Sequence, residues 1–289
     1  MIVKKKLVIL GHRGFIGDYL FREFSKNPDF EILGFSSQEI NLLDKEQVER
    51  LSAQWDEKTI LVFCSAIGRA TQDDEESFLK NILMVQHVAT ALKKKPLHHC
   101  FFLSSIDVYG KPSPSLLDEA TLPVPDSFYG WAKYTGEFLL KRALSEQKTI
   151  LTILRLSGIY GPGERSSNPL NIWIKTAIKE GRISLFGDGS ELRDYVWVED
   201  IYPVLRRLID KKMEGVFNIA TGQSYSLLEI IGHLKKIVSN PVEVLYQERK
   251  RPRLDYQFNK DVLQKAIGTF SWTSLPQGLK SLYASYQRH

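Results

Sequence analysis

Leu7-Val8-Ile9-Leu10-Gly11-His12-Arg13-Gly14-Phe15-Ile16-Gly17 is the stretch that determines the fold. Its apolar run predicts a strand, its equally spaced glycines predict a tight loop, and the residues from 15 to 24 predict an amphipathic helix. Glycine lets the backbone turn sharply and approach a phosphate, and the N–H groups of a helix N-terminus attract negative charge. We therefore expect a dinucleotide pyrophosphate to bind at Gly11, Arg13, Gly14, Phe15, Ile16 and Gly17.

Short apolar runs and amphipathic segments continue to alternate as far as residue 154, with predicted strands at 7–10, 32–35, 60–64, 100–103 and 150–154. Between them, helical spacing is clearest at 75–92 and 128–142. This alternation predicts an α/β fold, a doubly wound parallel-sheet Rossmann domain over residues 1–162. Residues 163–289 predict a smaller mixed substrate lobe, and strands within 194–218 are expected to return to the main sheet.

Composition narrows the classes of function. The 289 residues are 43% hydrophobic and carry 39 Lys and Arg against 34 Asp and Glu, so the net charge is +5. Because this charge is scattered, it favours an anionic small molecule over nucleic acid, which is usually bound by a basic stripe. No apolar run is long enough for a membrane helix or a secretion signal, so we expect a cytoplasmic protein.

Cysteine and histidine give no sign of a metal or disulfide. Cys64 and Cys100 lie in predicted buried strands, and His98 and His99 have no partner at metal-ligand spacing. We predict no metal site.

A proton-transfer pair is predicted in Phe128-Tyr129-Gly130-Trp131-Ala132-Lys133, because a helix places residues four apart on one face. A tyrosine ordinarily has a pKa of about 10, which a neighbouring ammonium lowers. The run Ser104-Ser105-Ile106-Asp107 follows the adjoining strand, so one of its hydroxyls is expected to meet the phenol at the carboxyl edge of the sheet.

The choice of nicotinamide cofactor depends on the end of the second strand, Gly34-Phe35-Ser36-Ser37. A carboxylate there would bind the ribose 2′-hydroxyl and repel a 2′-phosphate, but this run has none. Ser36, Ser37 and Arg13 would instead bond a phosphate. The sequence favours NADP(H), and NAD(H) remains open.

Five ordered motifs between Gly11 and Tyr195 carry a family resemblance, which extends over about residues 6–285. They are Gly-x-x-Gly-x-x-Gly from Gly11, Ser-x-x-Val-Tyr-Gly from Ser105, Tyr-x-x-x-Lys from Tyr129, Arg-Leu-Ser-x-Ile-Tyr-Gly-Pro-Gly from Arg155, and Gly-Asp-Gly-x-x-x-Arg-Asp-Tyr from Gly187. The chain resembles the extended short-chain dehydrogenase/reductases of the NAD-dependent epimerase/dehydratase type, which act on nucleotide-activated sugars. Residues 11–17 and 39–44 resemble the GDP-fucose synthase branch in particular, an NADPH-using epimerase-reductase.

The resemblance implies roles for individual residues. Ser105 would hydrogen-bond the reacting sugar oxygen, Tyr129 would transfer its proton, and Lys133 would lower the pKa of Tyr129 and hold the nicotinamide ribose. Asp44 resembles the aspartate that contacts adenine in this family. Arg193 and Arg251 match arginines that contact the nucleotide diphosphate, and Arg253 is a neighbouring candidate whose planar fork also suits phosphate.

Two positions depart from the family pattern. Gly158 stands where many members have an asparagine that touches the substrate phosphate. Asp107 stands at the second position after the catalytic hydroxyl, in the region where dehydratases of the family carry a proton-donating acid. It is either that acid, one carbon shorter than the usual glutamate, or a loop residue that caps backbone N–H groups.

The sequence thus predicts an NAD(P)-dependent oxidoreductase of a nucleotide-diphosphate sugar, either a 4-keto reductase or an epimerase. A nucleotide-sugar 4,6-dehydratase using Asp107 is the alternative enzyme. A non-catalytic dinucleotide-binding regulator is the alternative from another class, and the intact Ser105, Tyr129 and Lys133 weigh against it. The apolar faces of helices 75–92 and 128–142 predict a homodimer.

Overall fold

A computed structural model describes residues 4–111, 116–164, 168–249 and 253–287. Within them the strands are β1 (Lys5–Leu10), β2 (Phe30–Phe35), β3 (Thr59–Phe63), β4 (His99–Ser105), β5 (Ile150–Leu156), β6 (Gly158–Tyr160), β7 (Arg182–Phe186), β8 (Leu192–Arg193), β9 (Tyr195–Trp197), β10 (Gly215–Ile219), β11 (Tyr225–Ser226) and β12 (Glu243–Gln247). The α-helices are α1 (Phe15–Ser25), α2 (Lys45–Ser52), α3 (Glu75–Lys94), α4 (Phe128–Leu144), α5 (Pro169–Glu180), α6 (Ile201–Asp210), α7 (Leu227–Ile237), α8 (Asp261–Ile267) and α9 (Leu275–Gln287).

The main sheet has six strands in the order β2-β1-β3-β4-β5-β10. Each neighbouring pair from β2 to β5 is parallel. The chain goes from β1 outward to β2 and then crosses to β3 on the other side, so the strand order reverses at β1. Doubly wound sheets bind ligands at such a point, outside the carboxyl ends of the strands. The predicted α/β fold and its doubly wound parallel sheet are confirmed.

The apolar periodicities explain the two long helices of this sheet. α3 begins after Asp74, whose carboxylate accepts the N–H of Ser77 while the Ser77 hydroxyl accepts the N–H of Asp74, a capping box. α4 begins after Ser127, whose hydroxyl accepts the N–H of Gly130. Both helices cover the ranges predicted from the sequence. Their inward faces pack on a core that includes Phe63, Phe102 and Leu140.

The chain divides into two compact units. The first comprises residues 1–110, 122–156 and 201–218 and contains the main sheet. Its third segment supplies β10, which joins the sheet beside β5, so a late part of the chain does return to the main sheet.

The second unit comprises residues 111–121, 157–200 and 219–289. The described residues of this unit form three two-stranded pairings, β6 with β9, β7 with β12 and β8 with β11. Its core includes Leu170, Trp173 and Leu279. The expectation that residues 194–198 return to the main sheet is wrong, because β9 pairs with β6. The apolar residues of 194–198 predicted a strand correctly, but a strand of three residues is too short for its sequence to indicate which strand it pairs with.

Candidate active site

The glycine loop connects β1 to α1, as the sequence predicts. The N–H of Gly14 donates to the carbonyl of Gly11 at 3.0 Å, and Gly14 is the N-cap of α1 without any side-chain cap. A Cβ on Gly17 would lie 2.2 Å from the Gly11 oxygen, so only glycine permits this close approach of helix and loop. The first-turn N–H groups, at Phe15, Ile16 and Gly17, have no partner within the helix and suit a pyrophosphate.

A carboxylate does lie beside the end of β2, contrary to the premise on which the NADP(H) preference rested. Glu39 accepts the N–H of Ser36 at 2.8 Å and also the Ser36 hydroxyl, and it pairs with Arg13 at 2.7 Å. Arg13 further donates to Gln38, and Ser37 is exposed in the same turn. Hydrogen bonds from the Ser36 hydroxyl and N–H, with a smaller effect of Arg13, lower the pKa of Glu39. The turn therefore presents a neutralised arginine and an ionised glutamate.

Asp44 caps a helix in this structure. Its carboxylate accepts the N–H groups of Glu46 and Gln47 at the start of α2, and the Gln47 amide donates to it at 2.8 Å. A capping role accounts for the residue without any ligand, and its contact with adenine stays a proposal.

The two serines at the end of β4 have different surroundings. Ser104 is buried, and its hydroxyl donates to Glu137 at 2.6 Å. Ser105 lies at the strand end, where its hydroxyl accepts the N–H of Asp107 at 3.1 Å and caps a 3₁₀ turn, Ile106–Tyr109. Only Ser105 is therefore placed at the carboxyl edge of the sheet, which agrees with the residue that the family resemblance selects.

Tyr129 and Lys133 lie in the first turns of α4, on the face toward β4. The Lys133 Nζ donates to the carbonyl of Leu103 at 2.6 Å and lies 5.6 Å from the centroid of the Tyr129 ring. A Cβ on Gly130 would lie 2.5 Å from the Asp107 carbonyl, so the start of α4 is packed directly against the 3₁₀ turn. The structure thus brings Ser105, Asp107, Tyr129 and Lys133 together within one unit.

The pKa values of this pair differ from the expectation. Burial, and after it the negative charge of Asp107, raise the pKa of Tyr129 above its ordinary value. Burial lowers the pKa of Lys133 to about 8, against the opposing effects of Cys64 and Glu137. The expected lowering of the tyrosine pKa by Lys133 is therefore not what this structure shows. The physical reason is the burial of the phenol, to which the charge of Asp107 adds, while the ammonium of Lys133 is directed at the Leu103 carbonyl.

Asp107 is held by an arginine that sequence analysis missed. Its carboxylate accepts from Arg69 at 3.1 Å, and burial raises its pKa while Arg69 opposes that rise. Arg69 also lies 3.5 Å from Asp73, and Asp73 accepts the backbone N–H of Tyr129 at 2.9 Å. No spacing rule signals the contact between Arg69 and Asp107, because these residues are 38 positions apart.

The predicted substrate arginines of the second unit are held by their own chain. Arg193 donates to the carbonyls of Leu192 and Leu254 and pairs with Glu191 at 2.9 Å. Arg253 pairs with Asp255 at 2.9 Å. Contact of either with a diphosphate would require exchange of these partners. Arg251 lies outside the described residues.

Two further residues of this unit were not singled out from the sequence. Arg249 pairs with Asp188 at 2.8 Å and also with Glu191. Asp194, which follows Arg193, is buried and accepts the N–H groups of Thr221 and Gly222. Burial raises the pKa of Asp194 to about 6, although these hydrogen bonds oppose the rise. Arg249 and Arg193 share one acidic partner, Glu191.

Gly158 has no room for a longer side chain such as asparagine. A Cβ at this position would lie 2.6 Å from the ring of Tyr195, on the neighbouring strand β9. The aromatic ring therefore occupies the space into which a longer side chain would project.

Two absences concern only the described part of the chain. Within residues 4–111, 116–164, 168–249 and 253–287, there is no group of three or more His, Cys, Asp or Glu side chains close enough together to hold a metal ion. Among the helices of these same residues, none combines the length and apolar character needed to cross a bilayer.

Known proteins resemble this chain in sequence and in fold. GDP-L-fucose synthase of Sinorhizobium fredii is 22% identical over 300 residues, which cover 98% of this chain and 95% of that protein. The structure of UDP-glucuronic acid 4-epimerase from Bacillus cereus, with UDP-glucuronic acid and NAD, superposes with a TM-score of 0.87 at 22% identity, covering 98% and 99% of the two chains.

RMD from Pseudomonas aeruginosa, complexed with NADPH, also has a TM-score of 0.87, at 20% identity and 99% coverage of each chain. At such identities these structures establish the fold. The profile of the NAD dependent epimerase/dehydratase family matches residues 7–220, which include the glycine loop, the serine, the Tyr-x-x-x-Lys pair and the strands that carry them. The chain therefore belongs to the NAD dependent epimerase/dehydratase family.

Proposed function

We propose that this protein is an NAD(P)-dependent oxidoreductase of a nucleotide-diphosphate sugar, acting at a sugar carbinol or ketone as a 4-keto reductase or an epimerase. The observation that carries the proposal is the grouping of Ser105, Tyr129 and Lys133 at the carboxyl edge of the same sheet whose first strand ends in the glycine loop. Relatives that bind or act on nucleotide sugars support the substrate class.

The residues present fit a nicotinamide dinucleotide. Glycine at position 17 lets α1 begin in close contact with the loop, because a Cβ there would lie 2.2 Å from the Gly11 oxygen, and the N-terminus of α1 would stabilise the pyrophosphate. Lys133, buried at the start of α4, would hold the nicotinamide ribose. The nicotinamide, when bound, supplies or accepts a hydride.

Tyr129 and Ser105 would carry out the proton transfer that accompanies hydride transfer. Tyr129 would donate a proton to the oxygen of a ketone or remove one from a carbinol, and Ser105 would hydrogen-bond the same oxygen. The raised pKa of Tyr129 keeps it protonated at neutral pH, as a proton donor requires. In the second unit, Arg193 would contact the diphosphate after leaving its carbonyl partners.

Mass spectrometry of the product tests the proposal. Purified protein would be supplied separately with NADPH, NADH and NAD⁺ and a panel of nucleotide sugars that includes 4-keto-6-deoxy intermediates. A gain of two hydrogens with reduced cofactor consumed would show a reductase, and an unchanged mass with altered chromatography would show an epimerase. Failure of every nucleotide sugar to react would contradict the proposal and favour a non-catalytic dinucleotide-binding protein.

A 4,6-dehydratase is the second candidate, and one observation favours it. Asp107 lies beside the start of α4, and its pKa is raised by burial, as a proton-donating acid requires. Its ion pair with Arg69 works in the other direction, because a guanidinium stabilises the carboxylate. Loss of water from the nucleotide sugar in the same mass-spectrometric assay would identify this activity.

Glu39 provides a test of cofactor choice. We propose that its carboxylate, bonded to Ser36 and Arg13, shifts the preference toward NAD(H), against the preference predicted from the sequence. Glu39→Gln would release Arg13 to bind a 2′-phosphate, so we expect kcat/KM with NADPH relative to NADH to rise about tenfold or more. Asp18→Asn, on an exposed face of α1, is the charge-matched control. An unchanged ratio in Glu39→Gln would exclude this role.

Homodimer formation is proposed through α3 and α4. These helices expose Leu79, Leu83, Trp131 and Phe138, although large apolar side chains are costly to leave in water. We expect Phe138→Glu to convert a dimer to a monomer in sedimentation equilibrium. Leu122→Glu changes an apolar side chain that is 75% exposed outside both helices and should leave the dimer intact. A monomeric wild-type protein would refute the proposal.

A further inference from the structure

We infer that Arg69 is a positioning residue for the reaction, which places Tyr129 and counteracts the charge of Asp107 next to it. This inference rests on the proposed function. It starts from the loop between β3 and α3, which carries none of the five motifs. The Nη1 of Arg69 lies 3.1 Å from Asp107, and its Nε lies 3.5 Å from Asp73.

Each of these carboxylates acts on Tyr129 by a different route. Asp73 accepts the backbone N–H of Tyr129 at 2.9 Å, so it ties the first turn of α4 to the loop before α3. Asp107 acts through its charge, which adds to burial in opposing ionisation of the phenol. Because one guanidinium contacts both carboxylates, it links the helix start to the 3₁₀ turn that follows Ser105. The four side chains are only partly exposed, so water screens these contacts incompletely.

Other charged groups lie around the same pair. Lys133 faces Tyr129 from α4. Burial lowers the pKa of Lys133, and Cys64 and Glu137 oppose that lowering. The negative charge of Asp126, in the segment that precedes α4, raises the pKa of Asp107, and so does that of Asp73. Arg69 opposes these carboxylates, because its guanidinium contacts Asp107 directly. Removal of Arg69 should therefore leave an uncompensated negative charge next to the phenol.

Removal of Arg69 should slow the oxidation of a carbinol. An uncompensated Asp107 raises the pKa of Tyr129 further, so removal of a proton from a carbinol becomes slower. An increase of one unit in that pKa reduces the phenolate fraction about tenfold. A second change, Asp107→Asn, removes the charge and should restore the rate. A purely structural role for Arg69 predicts no such rescue.

The first experiment needs no substrate, so it tests Arg69 separately from the proposed function. Protein labelled with 13C at the aspartate carboxyl carbons would be titrated by NMR, with the Asp107 signal assigned from Asp107→Asn. We expect Arg69→Met to raise the titration midpoint of Asp107 by about one pH unit or more, and Arg69→Lys to raise it less. Arg50→Met, an exposed arginine of α2, is the control and should leave it unchanged. An unchanged midpoint in Arg69→Met would overturn the inference.

The second experiment measures the oxidation rate with a nucleotide sugar that the wild-type protein turns over. We expect Arg69→Met to reduce kcat about tenfold with little change in KM. The double variant Arg69→Met, Asp107→Asn should be no slower than Asp107→Asn alone. A double variant whose change in kcat equals the product of the two single-variant changes would overturn the coupling between the two residues.

Discussion

Tyr129→Phe should reduce kcat by about 10²- to 10⁴-fold, which is the contribution usual for a positioned proton donor. The substitution removes one oxygen from a partly buried ring at the start of α4, and the backbone N–H of that residue still donates to Asp73. Binding of the dinucleotide should change little, because the glycine loop is untouched. The measurements are steady-state kinetics on the identified substrate and titration of cofactor binding by fluorescence.

The control for this variant is Tyr134→Phe, which removes a hydroxyl from the same helix five residues further along. It should retain nearly all activity. Equal losses in the two variants would indicate damage to α4 and not loss of a proton donor. Wild-type turnover in Tyr129→Phe would mean that a different group transfers the proton.

The sequence predicted those parts of the site that local periodicity fixes. Tyr129 and Lys133 are four residues apart on a helix, so their common face follows from helix geometry. Gly11 to Gly17 likewise follow a strand and begin a helix. Each of these predictions depends on residues that are close in sequence, and local geometry determines where such residues lie.

Contacts between distant segments could not be predicted in the same way. Arg69 reaches Asp107 across 38 residues, and helical or strand periodicity gives no information at that separation. Glu39 lies four residues after the end of β2, where the turn folds its carboxylate back onto Ser36. The direction of the Tyr129 pKa was also missed, because it depends on burial and on Asp107 more than on the lysine at helical spacing.

The strands of the fold also differ in whether local sequence predicts their pairing. Each strand from β1 to β5 follows from an apolar run, and their parallel pairing follows from the helices between them. The partners of β9 and β10 depend on contacts between separated segments. β10 joins the main sheet, and β9 pairs with β6, although both were expected to return to the sheet.

Arg155→Met should destabilise the protein by about 3–5 kcal/mol, because it leaves Glu137 as an unpaired charge in the core. The two side chains are 3% and 0% exposed, and Arg155 donates to both carboxylate oxygens of Glu137, at 3.0 and 2.8 Å. The pair belongs to a larger buried network. Ser104 donates to Glu137 at 2.6 Å, and Arg155 donates to the Tyr109 hydroxyl at 3.0 Å.

This network joins the elements that carry the site. Glu137 lies on α4 one turn after Lys133, Ser104 immediately precedes Ser105, and Arg155 lies on the neighbouring strand β5. Urea unfolding should show a large loss of stability for Arg155→Met and also for Glu137→Leu. The double variant should be more stable than either, because no buried charge is left unpaired. A double variant as unstable as the two single losses combined would contradict this. Glu49→Leu breaks the exposed pair with Lys94 and should have little effect, because water screens such a pair.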